Sequence, residues 1–100
     1  MTGIMHRTYL NENGGTVEVY IDNLVPDTQN PDDWVCDYKI VGLGKDISKK
    51  SYGTDGIQAV YLAMRLIQME LFFSDLYKSG KLRWEGEYEA GDLGLPKMPD

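Results

Sequence analysis

The stretch DGIQAVYLAMRLIQMELFFSDLYKSG, residues 55–80, decides the fold. Asp55 followed three residues later by Gln58 has the form of a capping box, in which two side chains satisfy backbone donors that the first helical turn leaves orphaned. Gly80 stops the run just past Lys78, whose charge suits the negative end of a helix. The spacing predicts one helix of twenty-odd residues, a rod of about 36 Å at ~1.5 Å per residue. On its wheel, Ile57, Val60, Tyr61, Met64, Ile67, Leu71 and Phe72 fill one arc of about 140°. Leu62, Leu66, Met69, Phe73 and Leu76 form a second stripe nearly opposite. Arg65 and Gln58 divide the stripes along one flank, and Ala63, Glu70 and Ser74 along the other. A surface helix normally has a single apolar stripe, so two stripes predict a cover on each side. One cover is a sheet; the other is the C-terminal segment, a second subunit or a partner.

The sheet is read upstream of the helix. Thr16 to Asp22 alternates, with Val17, Val19 and Ile21 on one face and Glu18, Tyr20 and Asp22 on the other, which is the period of a half-buried strand. Arg7 to Leu10 is a short strand before it, and Asn11 to Gly15 is the turn, with Gly14 and Gly15 supplying positive-φ positions for an antiparallel hairpin. Val25 to Asp33 reads as a loop, because its two prolines cannot donate ladder hydrogen bonds. Trp34 to Val41 is the third strand, with Trp34, Cys36, Tyr38 and Ile40 facing the core and Val35, Asp37, Lys39 and Val41 facing away. Ile47 to Tyr52 forms a fourth strand carrying Lys49 and Lys50 outward. Beyond the helix, Leu82, Trp84 and Tyr88 alternate with charges in a final strand that joins the sheet or lies along the helix. Leu93 and Leu95 anchor the loop that follows. The expected architecture is α+β, an antiparallel sheet of four to five strands packed on one long helix, in a single domain over residues 1–100.

Composition narrows the function. Sixteen Asp and Glu against ten Lys and Arg give a net charge of −6, which argues against direct nucleic-acid binding, since a phosphate backbone is held mainly by basic residues. It suits a basic macromolecular partner. Cys36 is the sole cysteine, so no intramolecular disulfide can form. Residues Met1 to Arg7 have no apolar run of the signal-peptide kind. Gln58, Arg65, Gln68 and Glu70 interrupt the most apolar stretch, which fails the ~20-residue requirement of a membrane span. A cytoplasmic chain is expected.

Candidate chemistry is sparse. His6 is the single histidine and lies near the N-terminus, where a catalytic triad would lack positioned geometry. Cys36 reads as a small buried hydrophobe, and one Cys with one His cannot supply the usual zinc ligands. The Asp32-Asp33 loop lacks the regular spacing of a calcium loop, and Gly42-Leu43-Gly44-Lys45-Asp46 is not a phosphate cradle. No catalytic residue, cofactor or metal is expected. Glu85, Glu87, Glu89 and Asp92 place four acids within eight residues. On a strand over Leu82 to Tyr88 the three glutamates share one face. They read either as charge protecting an edge strand from aggregation or as a docking face for a basic protein. Asp22, Asp32 and Asp33 are the second set of contact candidates.

Three segments together resemble a family of small bacterial proteins catalogued as domains of unknown function. They are Trp34 to Gly44, Tyr52 to Val60 with its Tyr-Gly-x-Asp-x-x-Gln-Ala block, and Leu82-Arg83-Trp84 followed by Gly91 to Pro96. The resemblance covers about two thirds of the chain, from the third strand to near the end, and implies an α+β fold without an established activity. Small acidic single-domain bacterial proteins of this kind also resemble immunity proteins, including those of contact-dependent growth inhibition systems. That likeness implies a protein that neutralises a cognate toxin, a basic nuclease domain, by blocking its active site or substrate surface. A reading from another class is a structural or regulatory homodimer joined through the second apolar stripe.

Overall fold

The computed structural model describes residues 5–97, so residues 1–4 of the segment read for a signal peptide lie outside it. Five strands and two helices follow in order: β1 (Met5–Asn11), β2 (Thr16–Pro26), β3 (Trp34–Val41), β4 (Ile47–Gly53), α1 (Gly56–Phe72), α2 (Asp75–Lys78) and β5 (Leu82–Arg83). The strands make one antiparallel sheet in the order β4-β3-β2-β1-β5, and α1 packs on one of its faces. The protein is α+β.

Alternation in β2 and β3 places the core as expected. Val17, Val19 and Ile21 are buried with Cys36, Tyr38 and Ile40 beneath α1. Tyr9, opposite Val17 in the register, joins the same face. The β1–β2 turn uses Gly14 and Gly15 at φ 121° and 82°, values that residues with a Cβ rarely adopt.

Two strands depart from expectation. β2 does not stop at Asp22 but runs to Pro26, through a register shift between Asp22 and Val25 with Asn23 at φ 54°. Asn tolerates this left-handed conformation. Proline is accommodated because, among the described residues, the end of β2 beyond Ile21 pairs with β3 alone. The final strand is two residues long rather than spanning Leu82 to Tyr88. It pairs with Leu10 and Asn11 and then turns, with the Glu87 amide donating to the Trp84 carbonyl. Gly86 permits that turn, since a Cβ there would lie 2.7 Å from the Trp84 ring.

The helix is also shorter than a single rod. α1 begins at its Asp55 cap, whose carboxylate accepts from the Gln58 amide at 2.7 Å, while Gln58 Oε1 accepts from the Thr54 amide. It ends at Phe72, because Ser74 caps a separate α2 by accepting from the Tyr77 amide and donating to the Leu71 carbonyl. The wheel is rotated relative to the expectation. Ala59, Ala63, Ile67, Gln68 and Leu71 are the buried positions, whereas Ile57 is 85% exposed and Phe72 is also exposed. Alanine, read as a divider, lies where the helix comes closest to the sheet. A Cβ on Gly53 would overlap the Ala59 amide, and the Ala59 carbonyl accepts from Ser51 Oγ at 3.0 Å and Cys36 Sγ at 3.5 Å. Small residues at this crossing let the two layers meet backbone to backbone.

The C-terminal segment covers one flank of α1. Leu93 is fully buried and Leu95 packs against the core. Leu95 borders a small apolar recess with Met64 and Ile67. The other flank, with Leu66, Met69 and Phe73, stays open beside β4.

Candidate partner-binding surface

Because α1 takes one face of the sheet, the period-2 alternation delivers Glu18, Tyr20, Asp22, Val35, Asp37, Lys39, Lys50 and Tyr52 to the other. Two cross-strand rows organise its β2–β3–β4 end. Val25 lies opposite Val35, and Val35 opposite Tyr52, an apolar row in which Tyr52 is 52% exposed. In the next row Asp22 faces Asp37, and Asp37 faces Lys50. Open depressions of about 490 Å³ and 440 Å³ lie over the two rows.

The charge here is one-sided. Residues 22–38 contain five aspartates, Asp22, Asp27, Asp32, Asp33 and Asp37, and no lysine or arginine. Lys50 of β4 bonds Asp37 at 2.7 Å, and Asn23 Nδ2 donates to the same carboxylate at 2.9 Å. These contacts, Lys50 first, hold the Asp37 carboxyl below its ordinary pKa. The β2–β3 loop is braced from within. The Asp27 amide donates to the Asp33 carbonyl, Asn30 Nδ2 to the Asp33 carboxylate, and the Gln29 amide to the Asp27 carboxylate. Asp32 is exposed at its tip. Asp22, Asp32 and Asp33, the second set of candidates, thus lie along one hairpin. Asp27, Asp37 and the Val25-Val35-Tyr52 row were not singled out from sequence. Their signal was legible, since Val35 and Asp37 fall on the outward face of β3.

The first set does not form one face. With the strand ended at Arg83, Glu87 folds back into an ion pair with the Arg83 guanidinium, which depresses its pKa. Asp92 accepts from the Gly94 amide at 2.9 Å. Glu85 and Glu89 remain exposed around Tyr88, which is 97% exposed and packs on nothing. This loop follows β5 at the sheet edge away from β3 and β4, so the two acid sets are separated by the sheet.

His6 is held in β1 rather than loose. It stacks on Tyr20 with ring centroids 4.8 Å apart, and its Nε2 lies 2.6 Å from Glu18 Oε1. Thr8 and Thr16 donate to the same glutamate, so its pKa is lowered, chiefly by Thr16 and Thr8. Cys36 is fully buried, and burial raises its thiol pKa, with Asp37 and Asp22 adding to the effect. Among the described residues no group of three or more His, Cys, Asp or Glu is placed to hold a metal ion, and no helix is long and apolar enough to cross a membrane.

No curated protein and no solved structure gives a significant match to the chain. A family model does match residues 5–97, the whole of the described fold, and the chain belongs to that family, described as a domain of unknown function (DUF6968).

Proposed function

We propose that this chain is a protein-binding module for a basic partner, acting as a cytoplasmic immunity protein that covers the active site or substrate surface of a toxin domain. A nuclease of a contact-dependent growth inhibition system is the partner type its charge fits. The observation that carries the reading is the β2–β3 arm, whose residues 22–38 carry five aspartates and whose Val25 and Val35 form an apolar row with Tyr52 of β4. An aromatic and aliphatic centre inside a charged rim is the anatomy of a protein interface. The acidic excess of the arm, against which Lys50 is bonded to Asp37 alone, steers a basic partner and speeds its capture. A surface of roughly 800 Å² per partner suffices for a stable complex.

The test is co-expression with the C-terminal domain of the protein encoded immediately upstream. A stoichiometric complex that restores growth, with an association rate that falls as salt rises, supports the reading. An intact chain that neither binds nor protects against such a domain overturns it.

The open flank of α1 favours a second reading, a homodimer, since Phe73 is 61% exposed and Leu66 and Met69 adjoin it. Sedimentation equilibrium at high concentration decides it, and a monomer removes this reading.

A further inference from the structure

We propose that β4 and α1 together form a docking groove in which an extended, uncharged segment of another protein, apolar at alternate positions, adds as a sixth strand beside β4. The inference stands apart from the basic-partner reading and concerns a different surface.

Among the described residues β4 is the edge of the sheet. It pairs with β3 in unbroken register from Gly53 opposite Trp34 to Ile47 opposite Ile40, and residues 47–53 contain no proline. Its outer side is therefore a regular row of backbone donors and acceptors, the template that strand addition uses. Edges are commonly blunted by bulges, prolines or a covering element; among the described residues β4 has none of these. Its two lysines are the remaining safeguard, and both are engaged: Lys49 bonds Glu70 of α1 at 2.9 Å and Lys50 bonds Asp37 at 2.7 Å.

A depression of about 530 Å³ runs alongside, walled by Leu66, Met69 and Glu70 of the helix and its cap Phe73, and by Tyr38, Lys49 and Lys50 of the sheet. Lys49 and Glu70, bonded to each other, form its charged side. A strand laid on β4 turns alternate side chains to the helix side, where Leu66, Met69 and Phe73 offer apolar contact beside the Lys49–Glu70 pair. This fixes the occupant. The backbone edge demands an extended chain, and Leu66, Met69 and Phe73 demand apolar side chains at every second position. The closed Lys49–Glu70 and Lys50–Asp37 pairs leave no charge for the segment to neutralise. A second copy fits less well. Antiparallel β4–β4 pairing centred on the strand places Lys50 opposite its own copy, and like charges directly opposite are destabilising.

The test is selection of random phage-displayed peptides of about ten residues, enough to span a strand, on the intact protein. The enriched sequence is then synthesised and titrated into 15N-labelled chain. Expected are alternating apolar positions without charge enrichment, with amide shifts on Ser48 to Ser51 and on Met69 to Phe73. Backbone N-methylation at residues of one parity should weaken binding by about tenfold or more, an outcome that conversion of one lost contact set predicts, while the other parity is tolerated. Phe73→Asp, at an exposed position, and Met69→Asp, at a half-buried one, should each abolish binding with the fold intact by circular dichroism. Failure to enrich any peptide overturns the proposal. So does equal tolerance of N-methylation at both parities. Peptides that shift only the β2–β3 arm, or a dimer joined through β4, overturn it as well.

Discussion

The Arg7 guanidinium lies over the Trp84 ring, its central carbon 4.4 Å from the ring centroid. From that position Nη1 donates to the carbonyls of Leu93 at 3.1 Å and Gly94 at 2.6 Å. One side chain on β1 thus fastens the segment that follows β5. Tyr9 adds a third tie, its hydroxyl donating to the Leu93 carbonyl at 2.7 Å. Arg7→Ala removes the ring contact and two charge-assisted bonds and should destabilise the fold by about 2–3 kcal/mol. Urea unfolding measures it; a change below about 0.5 kcal/mol, the range of ordinary surface substitutions, would mean the fastening is dispensable.

Gly53 has no positive φ to explain it, yet a Cβ there would overlap the Ala59 backbone. Gly53→Ala should therefore destabilise by about 3 kcal/mol through forced separation of β4 from α1. Thermal unfolding reports the loss, and wild-type stability would refute the close crossing.

Stability should decline in acid. The Glu18 carboxyl has a folded pKa below its ordinary value because Thr16, Thr8 and His6 hydrogen-bond the charged form, and Asp37 is lowered by Lys50 and Asn23. A depressed folded pKa gives stabilisation that is fully present above the unfolded value, about 4 for these carboxyls, and is lost as pH falls through the folded value. Urea midpoints at neutral pH and below about pH 4 should show the fall, and Glu18→Gln should reduce its steepness.

Cys36 should resist thiol reagents. Its side chain is fully buried and its pKa is raised by that burial, so both access and thiolate fraction are low. An aromatic disulfide reagent at mildly alkaline pH should react far more slowly with folded chain than with chain in urea; equal rates would contradict the core assignment.

The two acid sets can be told apart in a reconstituted complex with the toxin domain. Asp22→Lys combined with Asp33→Lys should slow association by about tenfold and flatten its salt dependence. Glu85→Lys combined with Glu89→Lys should leave the rate near that of wild type. The reverse pattern would move the interface to the loop after β5.

Much of the fold was legible where one physical cause acts alone. The alternation of β2 and β3 named the buried residues, and the Asp55–Gln58 cap opened the helix. Elsewhere a second cause competed. Large side chains drew the helix wheel toward Ile57 and Phe72, whereas the helix approaches the sheet through Ala59 and Ala63, whose value is their small size. Ser74-Asp75 carried a capping signal that the continuing apolar pattern masked. Pro26 read as a breaker because nothing local says that, among the described residues, β2 pairs with β3 alone at that point. The candidate surface was half legible for the same reason. Outward-facing acids can be picked from an alternating strand, but the Val25–Val35–Tyr52 row exists only once β2, β3 and β4 are in register. The glutamates after Trp84 were misplaced because alternation continued through Gly86, while the Arg83–Glu87 pair at i,i+4 drew the chain into a turn.

The bonds from Arg7 and Tyr9 to Leu93 and Gly94 also set an order of events during synthesis. β1 is made early, yet its pairing with β5 and the Tyr9 hydroxyl's bond to the Leu93 carbonyl form only once residues 82–93 have emerged. Contacts of such long sequence separation slow folding. They also make completion of the sheet a late checkpoint, which a chain stalled before Leu93 cannot pass.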